Sequence, residues 1–306
     1  MKPVNLMVLA AIIALAWLGT RWLARRSGAA TRPIFRGAAA RAGLFTLLAF
    51  TLLALAAPLV TGYHPSQQLD IVGLQNRPPS AAHPLGTDLY SRDVWTRLVY
   101  GGRLSLAIGI LGMLVALTVG SAVGAVAGYW RGAVGTFLMR LTDVGLAVPR
   151  IFVLLVLATL LEGVSVPALI GVIGLTSWFA TSRLVRAEVL AVSERPFVSA
   201  GQALGLEPRL VIWRHVLPNA AAPIVVSAAL MTAGVMLLES ALSFLGYGVP
   251  APLASWGSMI ADARNHLRQA PWAAVPPGLA IALVVMACNA VAEALRDSLG
   301  PRGAAK

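Results

Sequence analysis

Phe197-Val-Ser-Ala-Gly-Gln-Ala-Leu-Gly-Leu-Glu-Pro-Arg-Leu-Val-Ile-Trp-Arg-His-Val-Leu-Pro-Asn219 is a polar stretch set between two long apolar runs, and its reading decides the fold. Phe197, Ala200 and Leu204 fall at helical spacing, Gly205 follows them as a stop, and Pro208 stands where a second short helix can begin. The expectation is helix, glycine turn, helix. The stretch is too rich in helix formers for a floppy linker.

The flanking composition gives the class. Of the 306 residues, 58% are hydrophobic and only 12% charged, and the mean hydropathy is +0.78, values that exclude an ordinary soluble domain. The chain reads as an all-α, polytopic membrane protein in contact with lipid. Its formal charge of +12 suggests nucleic acid at first sight. The basic residues, however, stand at the ends of apolar runs without the aromatic-plus-basic clustering of a nucleic-acid face, so membrane topology accounts for the charge. The single cysteine, Cys288, lies in an apolar run and excludes a disulfide within the chain.

Working outward, residues 4–19 form an uncharged run of about spanning length, with Lys2 before it and Arg21, Arg25, Arg26, Arg32, Arg36 and Arg41 after it. A secretory signal carries its positive charge before the run. The positive-inside rule instead makes this a membrane anchor with its N-terminus outside. Further apolar runs are expected at 43–62, 104–130, 141–162, 168–182, 219–238 and 271–292. A charged connection, Arg131–Arg140, and a tight turn at 163–167 separate three of them. This gives six core transmembrane helices plus one extra N-terminal helix, with the opening stretch, His215 included, on the cytoplasmic side. The organisation expected is 1–42 for the anchor and arginine-rich segment, 43–100 for the first core helix and an external loop, 101–298 for the main membrane domain with its loop at about 187–218, and 299–306 for a tail.

No catalytic residues and no metal site are expected. Lysine occurs only at positions 2 and 306, so no phosphate-binding G-x-x-x-x-G-K-[ST] loop exists, and G-x-S-x-G and H-E-x-x-H are absent as well. His64, His83, His215 and His266 fall in loops, where solvated histidines are the rule. Two acids stand out. A carboxylate at a bilayer centre costs on the order of 2.5–3.5 kcal/mol, yet Asp143 and Glu239 both fall near the ends of runs. Asp143 is expected to pair with Arg140 at the cytoplasmic rim, with a part in gating or lining a path as the alternative. Glu239 is expected either to bond backbone at a helix break before Ser240 or to take part in gating or lining a path.

The opening stretch resembles the cytoplasmic coupling loop of ABC importer permeases, a Glu-Ala-Ala, three residues, Gly pattern that closes on Leu-Pro. Ala200, Gly205, Leu217 and Pro218 match it, while Ser199 replaces the usual Glu and Gly201 the usual Ala. Three further stretches are similar to the second membrane subunit of peptide and nickel importers. The first is His83-Pro-Leu-Gly-Thr-Asp-Leu-Tyr-Ser-Arg-Asp93, carrying Gly86, Thr87, Asp88, Arg92 and Asp93, with Ser91 in place of the usual Gly. The second is Leu138-Met-Arg-Leu-Thr-Asp-Val-Gly-Leu-Ala-Val-Pro149, and the third Glu239-Ser-Ala-Leu-Ser-Phe-Leu-Gly-Tyr-Gly-Val-Pro250 with Ser255-Trp-Gly-Ser-Met259. Asp88, Arg92 and Asp93 are placed to pair with one another.

The resemblance implies a type I ABC importer permease fold and a bacterial inner-membrane location. It also implies a heterodimer with a homologous permease, two ABC ATPase domains that use ATP and Mg, and an extracytoplasmic solute-binding protein. No cofactor is implied on this chain. Ser199, Ala200, Gly201, Gly205, Leu217 and Pro218 would form the loop that receives ATPase motion. The alternative is an ion-coupled carrier working without an ATPase, a class marked by charge relays and broken helices inside the membrane.

Overall fold

The computed structural model describes residues 6–26, 37–161 and 165–299. Lys2, Arg32, Arg36, residues 163 and 164 of the turn expected at 163–167 and the tail from 300 onward lie outside the described residues. Among the described residues there is no β-strand, only an isolated bridge between Thr87 and Asp93.

The helices are α1 (Leu6–Arg26), α2 (Ala38–Leu55), α3 (Ala57–Val60), α4 (Val94–Tyr129), α5 (Ala133–Ala147), α6 (Arg150–Leu160), α7 (Val166–Leu175), α8 (Trp178–Ser193), α9 (Pro196–Ala203), α10 (Pro208–Val211), α11 (Leu217–Phe244), α12 (Trp256–Ala263) and α13 (Val275–Leu299). Five helices are long and apolar enough to cross a membrane, or up to seven spans if each of two bent pairs counts as one. The chain is therefore a multi-pass membrane protein.

Helix α4 is the axis of the bundle. At 36 residues it measures about 54 Å at ~1.5 Å per residue, well beyond the ~30 Å hydrocarbon core. It begins ten residues before the apolar run read from sequence and crosses the boundary drawn between 100 and 101, because Arg97 and Arg103 lie inside the helix. Small residues recur every fourth position along one face: Gly112, Ala116, Gly120, Gly124 and Gly128. That stripe lets α8 lie against the α4 backbone. A Cβ on Gly124 would stand 2.5 Å from the Ser182 carbonyl oxygen, and one on Gly120 2.8 Å from that of Trp178. Without a hydrophobic drive between helices in lipid, this close approach is what holds them together.

Two expected spans are broken. The helix over 133–147 begins inside the stretch expected as a charged connection, so that residues 133–140 are helical, since Val134, Phe137, Leu141 and Val144 form an apolar face interrupted only by Arg140. The chain then bends by 85° into α6 at Pro149, which cannot donate to a continuous helix and pushes Val148 out of helical geometry. Helices α7 and α8 meet at 43°. Arg150, at the first break, donates to the Ser177 hydroxyl at the second, so the two bends are tied together.

Trp256 locks the opposite half. It is buried, donates from Nε1 to the Leu98 carbonyl at 2.9 Å and from its backbone N–H to Ser105 Oγ at 2.9 Å, and meets Phe50 edge-on with centroids 5.3 Å apart. α2, α4 and α12 are thereby joined. α1 is peripheral, burying only a narrow stripe (Ile12, Ala16, Thr20); Ile12 packs with Ala57, Val60 and Val99.

Candidate functional site

At one end of the bundle, α8 leads into the segment around Gly205. Helix α9 ends in a left-handed residue: Gly205 has φ +77°, and the Leu206 N–H reaches back to the Gly201 carbonyl at 3.2 Å. This is a Schellman-type stop. Leu206 folds over Gly201, where a Cβ would stand 3.3 Å from Leu206 Cδ1, so glycine at 201 leaves room for that contact. α10 follows from Pro208, as the spacing predicts. Leu217 and Pro218 do not close a loop, because the backbone stays helical from Pro208 into α11. A wide turn, with the Leu217 N–H bonded to the Ile212 carbonyl, absorbs the donor that Pro218 lacks.

This segment has two faces. Val198, Val211, Ile212 and Val216 are buried, and three of them pack with Ala125 of α4 and with Val185, Val189 and Val192 of α8. The outer face carries Leu204, 81% exposed, and Trp213, 73% exposed, together with Phe197. Ser199, Ala200 and Gly205 lie on the exposed side and Gly201 is half-buried.

The other end is organised by residues 61–93. Gly86 has φ +72°, and a Cβ there would stand 2.6 Å from both the Arg77 carbonyl oxygen and the Trp272 ring. Ser91 also has a positive φ, +56°, which accounts physically for glycine at that position in the pattern it resembles. Thr87 Oγ1 accepts from the Arg77 N–H at 2.9 Å and donates to the Leu74 carbonyl, and Trp272 Nε1 donates to the Thr87 carbonyl at 3.1 Å.

The three charged residues Asp88, Arg92 and Asp93 do not form one cluster. Arg92 Nε donates to Asp88 Oδ2 at 2.7 Å. Asp93 instead caps α4, accepting from the Thr96 N–H at 2.8 Å and the Thr96 hydroxyl at 2.7 Å. Its other oxygen meets His83 Nδ1 at 2.9 Å. His83 is thus buried rather than solvated, and its ring stacks on Tyr63. Burial, then the nearby Asp93 carboxylate, raises the Tyr63 phenol above its ordinary value.

Arg97 and Asp262 complete the arrangement, and neither stood out in the sequence. Asp262 Oδ2 accepts from Arg92 Nη2 at 2.7 Å and from Arg97 Nη2 at 3.1 Å, while Arg97 Nε lies 3.7 Å from Asp88 Oδ2. Two carboxylates and two guanidiniums therefore form a closed ring that joins the 61–93 segment, the first turn of α4 and α12. The sequence offered only an arginine, Arg97, four residues after Asp93; that it is 2% exposed is visible in the structure alone.

Asp143 is bonded mainly by Arg183, across from α8, with Arg140 at 3.9 Å on its own helix. The i+3 neighbour is a poorer partner than a residue facing it from the packed helix. Glu239 is fully buried rather than near water, and no break occurs at Ser240, since α11 continues to Phe244. Its Oε1 accepts from the hydroxyls of Ser243 and Ser255, both at 2.7 Å. Ser255 also caps α12, accepting from the Ser258 N–H at 3.1 Å. Glu239 bonds side chains rather than backbone, and it anchors α12 to α11. Among the described residues, no three His, Cys, Asp or Glu residues group to hold a metal ion.

The helical bundle, its bent pairs and its projecting helix–turn–helix define a polytopic helical membrane protein. Residues 120–303 match the family described as binding-protein-dependent transport system inner membrane component, and the chain belongs to that family. It is 37% identical over 260 residues to the dipeptide transport system permease protein DppC of Alkalihalophilus pseudofirmus, covering 85% of this chain and 84% of the relative. A Brucella suis biovar 1 relative, provisionally named a peptide permease protein, is 38% identical over 286 residues, covering 90% of this chain and 93% of that protein. A chain of the MetNI methionine ABC transporter, in an inward-facing conformation, superposes with a TM-score of 0.55 at 16% identity, covering 66% of this chain and 96% of that one. That likeness establishes the type I permease fold.

Proposed function

We propose that this chain is a permease subunit of an ATP-driven importer in the bacterial inner membrane. It would form part of the path for peptides, or for a related small solute such as nickel. The observation that carries the reading is the two-faced segment around Gly205: its inner residues are packed into α4 and α8, and its outer residues, Leu204 and Trp213, project from the bundle. An exposed apolar knob on a rigid base suits a partner's groove. The names of the relatives supply the substrate class.

In this reading the partners are a homologous second permease, two ATPase domains that use ATP and Mg, and an extracytoplasmic solute-binding protein. A load applied to α9 and α10 reaches α8 and α4 through Val198, Val211 and Val216, because close-packed side chains transmit displacement rather than absorb it. The helices then rock as bodies and open the path to alternate sides.

Purification from native membranes in mild detergent, with every co-purifying chain identified by mass spectrometry, tests the assembly. Recovery of a second permease with ATPase chains is expected. Recovery of this chain alone, with ATP analogues present, would contradict it.

A further inference from the structure

Arg150 stands where α5 bends into α6, and both of its hydrogen bonds run from Nη2, one to the Ser177 hydroxyl and one to the Ile173 carbonyl at 3.4 Å. The residue is half-buried. Its Nε is enclosed, whereas Nη1 is neither bonded nor enclosed. Packing on α4 fixes its depth. A Cβ on Gly174 would stand 3.1 Å from the Gly112 carbonyl oxygen, and one on Gly120 2.8 Å from that of Trp178, so Ile173 and Ser177 lie beside residues 112–120. Residues 104–130 carry no charge, and Arg103 and Arg131 bound them. At ~1.5 Å per residue that run is about 40 Å long, and the part beside Arg150 lies about 13 Å or more from either charged end. A ~30 Å hydrocarbon core placed anywhere along the run includes the guanidinium.

A guanidinium stays charged at any physiological pH, and at this depth a charge faces protein or water rather than lipid tails. The backbone beside it points the same way. Leu146, Ala147, Val148 and Pro149 are exposed, Val148 is extended, and Pro149 has no N–H to donate. Non-helical backbone at membrane depth is tolerated only against protein or a water-filled cavity. A neutral donor would serve the Ser177 and Ile173 bonds as well, so holding the bend does not call for a charge. Among the described residues no carboxylate pairs with Arg150. Lipid headgroups lie outside the hydrocarbon core and do not reach this level.

We propose that the face at this break borders the solute path, and that Arg150 receives the terminal carboxylate of a peptide as it crosses the bilayer midplane. The proposal rests on the transport reading and names the part of the peptide that this chain contacts. A guanidinium gives a carboxylate charge-assisted bonds, and every free peptide carries one at its C-terminus whatever its side chains. Broken helices near the midplane are where transport proteins meet such groups.

The test uses vesicles carrying the assembly purified with this chain, with alanyl-alanine as the probe. Val148→Cys in a Cys288→Ala background puts a thiol on the exposed link and leaves Arg150 in place. A charged, membrane-impermeant methanethiosulfonate should label it, and saturating probe with binding protein and ATP should slow the labelling. Leu15→Cys, on the exposed side of peripheral α1, should stay unlabelled. In uptake at saturating probe, Arg150→Gln keeps a donor for Ser177 and should lower turnover about tenfold. Arg150→Lys keeps the charge and should retain most of it. Equal uptake by these two variants would mark a bond that only holds the bend and would overturn the proposal. So would an unlabelled Val148→Cys thiol, labelling that the probe does not slow, or loss of a second permease from the Arg150→Gln assembly, which marks pairing with a partner's carboxylate. Should Arg150→Gln fail to insert, the labelling decides alone. A parent assembly without ATP-driven uptake would refute the transport reading and the proposal with it, whereas any of the adverse results beside normal parent uptake refutes the proposal alone.

Discussion

Arg97, in the first turn of α4, and Asp262, in α12, lie 165 residues apart in sequence and are joined by a 3.1 Å bond between Nη2 and Oδ2. Arg92 and Asp88 close the ring, so each buried charge has an opposite partner. Removing Arg97 leaves one guanidinium, Arg92, facing two carboxylates, so one negative charge goes uncompensated, and breaking a buried pair costs roughly 3–5 kcal/mol. Arg97→Met should therefore destabilise the detergent-solubilised protein by about that much. The double variant Arg97→Met/Asp262→Leu should lose less than the two single changes together, as a double-mutant cycle in thermal unfolding would read.

Gly124 is the tightest point of the α4–α8 contact, with a Cβ there standing 2.5 Å from a backbone oxygen. Gly124→Ala should cost about 1–3 kcal/mol, since backbone has no rotamer to yield. Gly171, inside α7, has nothing within 4 Å of an added Cβ. Gly171→Ala should be neutral or stabilising by up to about 1 kcal/mol. Equal effects at both positions would rule out the glycine stripe as the cause of the close approach.

Asp93 caps α4 with one oxygen and meets buried His83 with the other. Asp93→Ala removes the cap, worth about 0.5–2 kcal/mol, and leaves the imidazole without its acceptor, at about 1–3 kcal/mol. Thermal unfolding should show a larger loss than for His83→Phe, which removes the imidazole along with its bond.

Glu239 separates the transport reading from the ion-coupled carrier. The bent pairs and a buried carboxylate are features that the carrier class shares. Here, however, both Ser243 and Ser255 donate to a single oxygen, and one of them caps α12. Glu239→Gln keeps a carbonyl acceptor, so it should leave stability and uptake within about twofold of the parent, a margin of under half a kcal/mol. Glu239→Ala should cost roughly 1–3 kcal/mol for two orphaned hydroxyls. Loss of uptake in a stably folded Glu239→Gln protein would favour a proton-coupled role.

Gly205 is exposed with φ +77° and free space around it, so the fold tolerates bulk there better than a partner would. Gly205→Arg should insert normally at a local backbone cost of about 1–2 kcal/mol, and uptake should fall while ATP hydrolysis by the assembly persists. Simultaneous assays in reconstituted vesicles would measure both.

The apolar runs and the Gly205 turn were legible because each rests on local properties: length, hydropathy and a residue that alone tolerates left-handed backbone. The first part of the helix over 133–147, residues 133–140, was hidden by Arg140, one charge on an otherwise apolar face. The ring around Arg97 and the cage around Glu239 were illegible for another reason. Their distant partners come from α12 and its cap, and pairings across 16 to 170 residues leave no local period to read. Ser91 is a further case: the sequence shows only that serine replaces a glycine there, and its positive φ is visible in the structure alone.

The most direct measurement is peptide uptake into vesicles carrying the assembly purified with this chain, with and without internal ATP, the binding protein and a protonophore. The account predicts uptake that requires ATP and the binding protein and survives collapse of the proton gradient. Uptake by this chain alone, without ATP and abolished by the protonophore, would contradict it.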